Sequence, residues 1–226
     1  MFSGLSKYLK KILPKIKIYQ MKFLSVLFFT VAISASAQEK NSIEASTVSN
    51  LKFRLVGPAL TSGRVSDLAI HPSNTDTWYI ATASGGLWKT ENHGTTFKPI
   101  FDSQSVFSIG CLAMDPNNSN VLWVGTGENN SSRSSYAGIG ILKSVDNGKN
   151  WTNIGLNDSH HIGKVKINPE NPDEIIVASL GHLYSENSER GIYKTNDGGV
   201  SWENTLYISN DTGIIDLDVD PNNFDI

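Results

Sequence analysis

Apolar residues in this chain occur in short runs separated by Gly, Pro, Asn and Asp, from Leu51 onward. In the first complete unit these runs fall at residues 65–71, 77–83, 86–90 and 96–101. Short runs bounded by turn residues predict β-strands, and no stretch here has the length and period of an amphipathic helix. The pattern therefore predicts an all-β fold.

The runs recur as a long repeat. Segments that begin at Gly86, Gly140 and Gly191 align with one another, at spacings of 54 and 51 residues. A second set recurs in phase with the first, at residues 68–72, 112–116, 165–169 and 217–221. Each period thus holds four strands, which indicates a β-propeller built of four-stranded blades. We predict three blades and one extra strand, which is an incomplete propeller.

The turn between the third and fourth strands of each unit follows the pattern S/T-x-D-x-G-x-T-W. Its acidic or amide side chain accepts hydrogen bonds from the turn's own N–H groups, its Gly takes a positive φ, and its aromatic ring packs against the neighbouring sheet. We interpret these turns as a folding device rather than as metal ligands or catalytic acids. Their residues are Asn92, Gly94 and Phe97; Asp146, Gly148 and Trp151; and Asp197, Gly199 and Trp202.

The N-terminal residues have the layout of a signal peptide. A basic stretch without acidic residues precedes an apolar run at 23–33, and Ala35-Ser36-Ala37 fits a cleavage site. We predict a signal peptide over 1–37, with Met21 as an alternative start and an uncleaved anchor as the alternative reading. Residues 38–50 are polar and predict a flexible lead-in, and 51–226 form the partial propeller.

Charge and cysteine content narrow the partners and the location. Without residues 1–37 the chain keeps 13 basic and 22 acidic residues, a net charge of −9, which disfavours nucleic acid. Cys111 is the only cysteine, so nothing depends on disulfides. The signal peptide predicts a secreted, periplasmic or cell-surface protein of a Gram-negative bacterium, with membrane contact through that peptide alone.

Residues 53–226 resemble the bacterial neuraminidase repeat superfamily of Asp-box propellers. They are most similar to the sortilin-type propellers of large exported bacterial proteins often labelled glycosyl hydrolase, through segments 81–90, 124–128 and 158–163. The resemblance implies the fold more strongly than any activity. Plastid photosystem assembly factors share this fold, but an exported chain without a thylakoid-type signal does not fit that role.

Two enzyme groups within the resemblance have motifs that this chain matches poorly. Propeller xyloglucanases place a catalytic Asp in T-D-I-G-G, and the corresponding segment 82–86 has Ala83 at the Asp position. Sialidases begin with F-R-I-P, of which residues 53–56 are a partial match that includes Arg54. The resemblance therefore leaves enzymatic activity undecided.

Candidate functional residues lie in the longer loops. In a propeller, the loops between strands two and three and between blades share one face, here termed the loop face; they span 101–110, 127–138, 155–163, 181–191 and 209–213. Glu128 and Asp158 could form a general acid and base pair, and Trp88, Tyr136 and Tyr184 could stack on sugars. The candidates for ligand binding are Arg133, His160, His161, His182, Glu186 and Arg190. No metal-ligand spacing is present, so we predict no metal and no cofactor.

The sequence predicts an exported β-propeller that binds or scaffolds a protein, peptide or glycan on its loop face. The alternative is a glycoside hydrolase of the same superfamily, with carboxylates on the loop face and in a part of the chain beyond Ile226. We expect the natural propeller to continue past Ile226, with residues 52–56 completing its last blade.

Overall fold

A computed structural model describes residues 63–132, 135–220 and 223–224. The predicted signal peptide, the lead-in, the strand at 52–56 and Arg133 lie outside the described residues. The described part of the chain contains twelve β-strands and no helix. Accordingly, it contains no helix of the length and apolar character that a membrane span requires.

The strands form three four-stranded antiparallel sheets, each a meander in chain order. Blade 1 consists of β1 (Val65–Ile70), β2 (Trp78–Thr82), β3 (Leu87–Thr90) and β4 (Lys98–Pro99). Blade 2 consists of β5 (Ile109–Met114), β6 (Leu122–Thr126), β7 (Ile141–Ser144) and β8 (Thr152–Asn153). Blade 3 consists of β9 (Ile162–Ile167), β10 (Ile175–Ser179), β11 (Gly191–Thr195) and β12 (Glu203–Leu206). The predicted all-β, four-stranded units are confirmed.

The blades stand side by side with their first strands innermost. Strand β1 packs against β5, and β5 packs against β9. The approach is close at Gly110, where an added Cβ would lie 2.2 Å from the carbonyl oxygen of Ile162. Between blades 1 and 2, the Oδ2 atom of Asp67 accepts a hydrogen bond of 3.0 Å from Leu112 N. Backbone and polar contacts thus fix the spacing of the inner strands.

Blade 2 contributes to two hydrophobic cores. Side chains alternate along a strand, so Leu122 and Val124 face the core shared with blade 1 while Trp123 faces the core shared with blade 3. Every residue of β6 is buried. This explains why residues 121–125 read as a continuous apolar run and not as an alternating one.

The turns between strands one and two and between strands three and four lie at the end of the sheets opposite the loop face, here termed the turn face. They are tied to each other by backbone hydrogen bonds, from Asn147 N to Asn120 O at 3.0 Å and from Gly198 N to Asp173 O at 2.9 Å. Tyr79 of blade 1 donates its hydroxyl to Asn147 Oδ1 of blade 2 at 2.7 Å. The turn face is therefore a continuous polar network.

Each turn between strands three and four is held by its own side chains. In blade 2, Asp146 Oδ1 accepts hydrogen bonds from Lys149 N at 3.0 Å and Asn150 N at 2.8 Å. Gly148, at φ 80°, donates its N–H to Ser144 Oγ at 2.9 Å. Asn92 and Asp197 accept the equivalent bonds from Thr96 N and Ser201 N, each at 2.9 Å.

The aromatic residue of the turn connects one blade to the one before it. Trp151 Nε1 donates to Ile100 O at 3.3 Å, and Trp202 Nε1 donates to Ile154 O at 2.7 Å. Phe97 differs from the expected packing because its side chain is exposed. The described residues supply no earlier blade for Phe97 to contact.

We expect the Asp146 turn to make folding sensitive to acid. Its hydrogen bonds from Asn150, from Ser144 and from Lys149 lower the pKa of Asp146 to about 2. A folded-state pKa below the unfolded value means that the stabilisation is complete above pH ~4 and is lost as the pH falls toward ~2. Asp146→Asn keeps the accepting oxygen, as Asn92 does, and should show a smaller fall in Tm between pH 5 and pH 2 than the unmodified chain. Equal falls would contradict this account.

The segment predicted to begin a fourth blade, 217–221, and the residues just before it lie against the first two strands of blade 3, β9 and β10. Ile214 N donates to Ser179 O at 3.0 Å, and Lys166 Nζ lies 2.7 Å from Asp218 Oδ1. Residues 214–219 form no strand ladder, because no other described segment pairs with them. Their position is the one that the first strand of a next blade would take.

Candidate functional site

Three side chains from two loops meet on the loop face. Asp158 and His160 lie between β8 and β9, and His182 follows β10. The imidazole rings of His160 and His182 are stacked, with centroids 3.6 Å apart and planes 18° apart. Asp158 Oδ1 lies 3.3 Å from His182 Nε2 and 4.0 Å from His160 Nε2. We refer to Asp158, His160 and His182 as the histidine cluster.

Neighbouring polar groups hold the histidine cluster in place. Ser185 Oγ lies 2.8 Å from His182 Nδ1, on the side of the ring away from Asp158. Asn187 Nδ2 donates to both Asp158 O and Asp158 Oδ2, each at 3.0 Å. Asp158 N in turn donates to Glu189 Oε2 at 2.9 Å. These bonds leave Asp158 Oδ1 directed at the two imidazoles.

Arg190 shapes the loop that presents His182. Its guanidinium donates to three backbone carbonyls: to Leu180 O at 2.6 Å, to Ser185 O at 3.0 Å, and to His182 O. The side chain is buried. A guanidinium already bonded to three carbonyls can position a ligand-binding loop, but it offers few free donors to a ligand.

The two histidines of the 155–163 loop, His160 and His161, differ in environment. His160 adopts a φ of 59°, a left-handed conformation that is uncommon for residues other than Gly. Burial, followed by the neighbouring His182, lowers the pKa of His160, while Asp158 opposes the shift. His161 is buried, and burial, followed by the nearby His160 and His182, lowers its pKa to about 4. His161 is therefore neutral near pH 7.

Glu128 lies apart from these groups, at the end of β6. Its side chain is 3% exposed and forms an ion pair with Arg64, which precedes β1. Its backbone N–H donates to Tyr136 O at 3.2 Å. The carboxylate of Glu128 therefore already has a side-chain partner in Arg64.

Exposed aromatic side chains mark the same face. The rings of Phe107 and Tyr136 are in edge-to-face contact, with centroids 4.9 Å apart, and each is nearly half exposed. Tyr184 is 77% exposed and donates its hydroxyl to Ser132 O at 3.0 Å, which links the 181–191 loop to the 127–138 loop. Trp88 donates Nε1 to Gly85 O at 2.8 Å and is half-buried.

Sequence reasoning named some members of this site and missed others. The structure brings Asp158, His160, His182 and Arg190 together, and it leaves Glu186 exposed on the same loop. Ser185, Asn187 and Glu189 were not singled out. Their one sequence signal was their place in the longest loop of blade 3, between Gly181 and Gly191.

The histidine cluster brings a set of possible metal-ligand atoms together. Two imidazole nitrogens and one carboxylate oxygen lie within 4.8 Å of one another. Asp158 and Glu128, predicted as paired carboxylates, have separate partners: Asp158 contacts His182 and Asn187, whereas Glu128 contacts Arg64. Their pairing as general acid and base in glycoside hydrolysis stays a prediction.

Comparison with known proteins supports the fold. No protein-family model matches the chain, and no curated protein matches it. Among solved structures, an ancestral GH74 enzyme has a TM-score of 0.50 and 21% identity over 62% of this chain and 18% of that one. The GH74 xyloglucanase from Xanthomonas campestris has a TM-score of 0.45 and 18% identity over 62% of this chain and 20% of that one. YCF48 from Cyanidioschyzon merolae has a TM-score of 0.45 and 18% identity over 67% of this chain and 40% of that one.

At such identities the comparisons report the fold alone. The chain has the β-propeller fold that its repeat predicted, and the prediction of an incomplete propeller of four-stranded blades is confirmed. The sortilin-type, Asp-box assignment within the propellers stays a prediction. The chain spans less than a fifth of the length of the ancestral GH74 enzyme. The activity and partners of the whole protein are therefore matters for proposal.

Proposed function

We propose that this chain belongs to an exported propeller that binds a protein or peptide segment on its loop face, and that the bound segment is basic and apolar. The supporting observation is the exposed pair of Phe107 and Tyr136. Large aromatic rings dominate the energetics of protein interfaces, and exposed apolar patches on soluble domains mark interaction sites. The two rings come from consecutive loops of that face.

Charge on the loop face favours a basic partner. Four acidic residues of its loops are exposed: Asp102, Asp158, Glu186 and Asp211. Arg190, the basic residue of the 181–191 loop, is buried and bonded to backbone carbonyls. Exposed acidic groups on the same face as an aromatic pair attract a cationic segment and select against an acidic one.

The arrangement gives less support to a glycan ligand or to glycoside hydrolysis. An edge-to-face aromatic pair is not a flat platform for a sugar ring. Glu128, which lies in the same loop as Tyr136, is buried against Arg64. We therefore prefer binding without turnover.

A peptide array tests the binding proposal. Synthetic 12-residue peptides with graded net charge and aromatic content are immobilised and probed with the full chain. We expect retention of basic peptides with apolar side chains and little retention of their acidic counterparts. Phe107→Ala and Tyr136→Ala should each weaken this binding by about tenfold, as expected for a truncated interface aromatic.

The chain offers a matched control. Val200 is an exposed apolar residue on the turn face, so Val200→Ala should leave peptide binding unchanged. Equal binding of basic and acidic peptides, or binding that survives both aromatic substitutions, would refute the proposal. Release of reducing sugar from β-glucans that disappears in Glu128→Gln would instead establish the hydrolase.

A further inference from the structure

We propose that Asp158, His160 and His182 form a binding site for one divalent transition-metal ion of the zinc class. The proposal concerns the histidine cluster and does not depend on peptide binding. The ligand set is two imidazole nitrogens and one carboxylate oxygen, which zinc prefers together with a water molecule at a fourth position. Among the described residues this is the one group of at least three His, Cys, Asp or Glu side chains with converging ligand atoms.

The distances require only a small contraction. Ligand atoms bound to one zinc ion at about 2.0–2.1 Å lie roughly 3.3–3.5 Å from each other. Asp158 Oδ1 already lies 3.3 Å from His182 Nε2 and 4.0 Å from His160 Nε2. The stacked rings must tilt apart so that their lone pairs converge, and neither ring is fully buried.

The surrounding hydrogen bonds suit a metal site. When Ser185 Oγ accepts the proton on His182 Nδ1, the Nε2 lone pair faces Asp158 Oδ1 with no proton between the two acceptors. A cation between them would bind both the Nε2 lone pair of His182 and Asp158 Oδ1. Asn187 occupies the other carboxylate oxygen of Asp158, which leaves Oδ1 for the ion. Partners of this kind orient metal ligands and set their tautomers.

The position of the site means that a bound ion would stabilise the folded chain. His160 precedes blade 3 and His182 lies within it, in two different loops of the loop face. A bound ion would cross-link these two loops through the side chains of His160 and His182. The backbone carbonyl of His160 also accepts a hydrogen bond from Gly138 N, so the ion would add to a contact with the 127–138 loop. An ion that binds only the folded chain raises its Tm in a concentration-dependent way.

Zinc titration against a chromogenic chelator, with the full chain, tests the proposal. We expect one Zn²⁺ per chain, a rise in Tm with added Zn²⁺, and binding at least tenfold weaker in His182→Ala and Asp158→Asn. Ser185→Ala should weaken binding by a smaller factor. Co²⁺ should give visible d–d absorption without a thiolate charge-transfer band, because Cys111 is buried away from the ligand set.

His93→Ala is the matched control, because His93 pairs with the exposed Asp76 on the turn face without a third ligand. This variant should bind Zn²⁺ as the unmodified chain does. Far-ultraviolet circular dichroism checks that each variant is folded, and His160→Gln replaces His182→Ala if the latter does not fold. No Zn²⁺ binding by the unmodified chain, or undiminished binding in folded His160→Gln and Asp158→Asn, would overturn the proposal.

Discussion

Trp123→Ala is expected to lower the free energy of unfolding by about 3–5 kcal/mol, the range for removal of a fully buried aromatic side chain. Trp123 is fully buried in the core between blades 2 and 3. The substitution removes this packing and the contact of Lys143 Nζ, which lies 4.5 Å from the ring centroid. A cavity of this size cannot close, because β6 is also fixed by the core on its other face.

Urea unfolding followed by circular dichroism measures the effect of Trp123→Ala. Val200→Ala serves as the control, since Val200 is 88% exposed and its loss should change stability by no more than about 0.5 kcal/mol. A loss below about 1 kcal/mol for Trp123→Ala would mean that the two blades do not share a packed core.

Gly110→Ala is expected to cost about 3 kcal/mol, the upper part of the usual range for overpacking. The new Cβ would lie 2.2 Å from Ile162 O and 2.5 Å from Gly127 O. Both neighbours are backbone atoms, so the inner strands themselves must separate. Gly86→Ala is the contrasting variant: its Cβ meets Phe101 Cβ at 3.6 Å, an ordinary contact. Its cost should be about 1–2 kcal/mol, from the φ of 71° alone.

The thiol of Cys111 reports separation of the inner strands. Cys111 is buried next to Gly110, and burial raises its pKa to about 12, so maleimide should not label it in the native chain. Gly110→Ala should accelerate labelling, and Gly86→Ala should change it little. Labelling of Gly110→Ala at the rate of the unmodified chain would show that the inner strands do not move apart.

The sequence was sufficient to predict the blades because their signals are local. Each turn at Asn92 and Asp146 is built by a few adjacent residues, so its motif can be recognised in the sequence. The recurrence of such short segments from Gly86 to Gly140 to Gly191 then gives the number of blades. Strand ends were less predictable. The fourth strand of blade 1 was expected over 96–101 and is only Lys98–Pro99, because an outer edge strand has a partner on one side alone.

The candidate site could be predicted only as a set of loops. His160 and His182 belong to different loops, and their stacking depends on how blade 3 is placed against blade 2. The pairing of Glu128 with Arg64 likewise joins two blades. No period or motif encodes such contacts, because they arise from packing between blades. The convergence of ligand atoms from Asp158, His160 and His182 is therefore visible only in three dimensions.

The indole hydrogen bonds of the turn face have a direction along the chain. Trp151 reaches back to Ile100, and Trp202 reaches back to Ile154. Blades 2 and 3 therefore each make this contact with the blade that precedes them in the chain. During synthesis from the N-terminus, blades 2 and 3 can therefore dock in chain order, because the carbonyl oxygen that accepts each indole hydrogen bond is synthesised first.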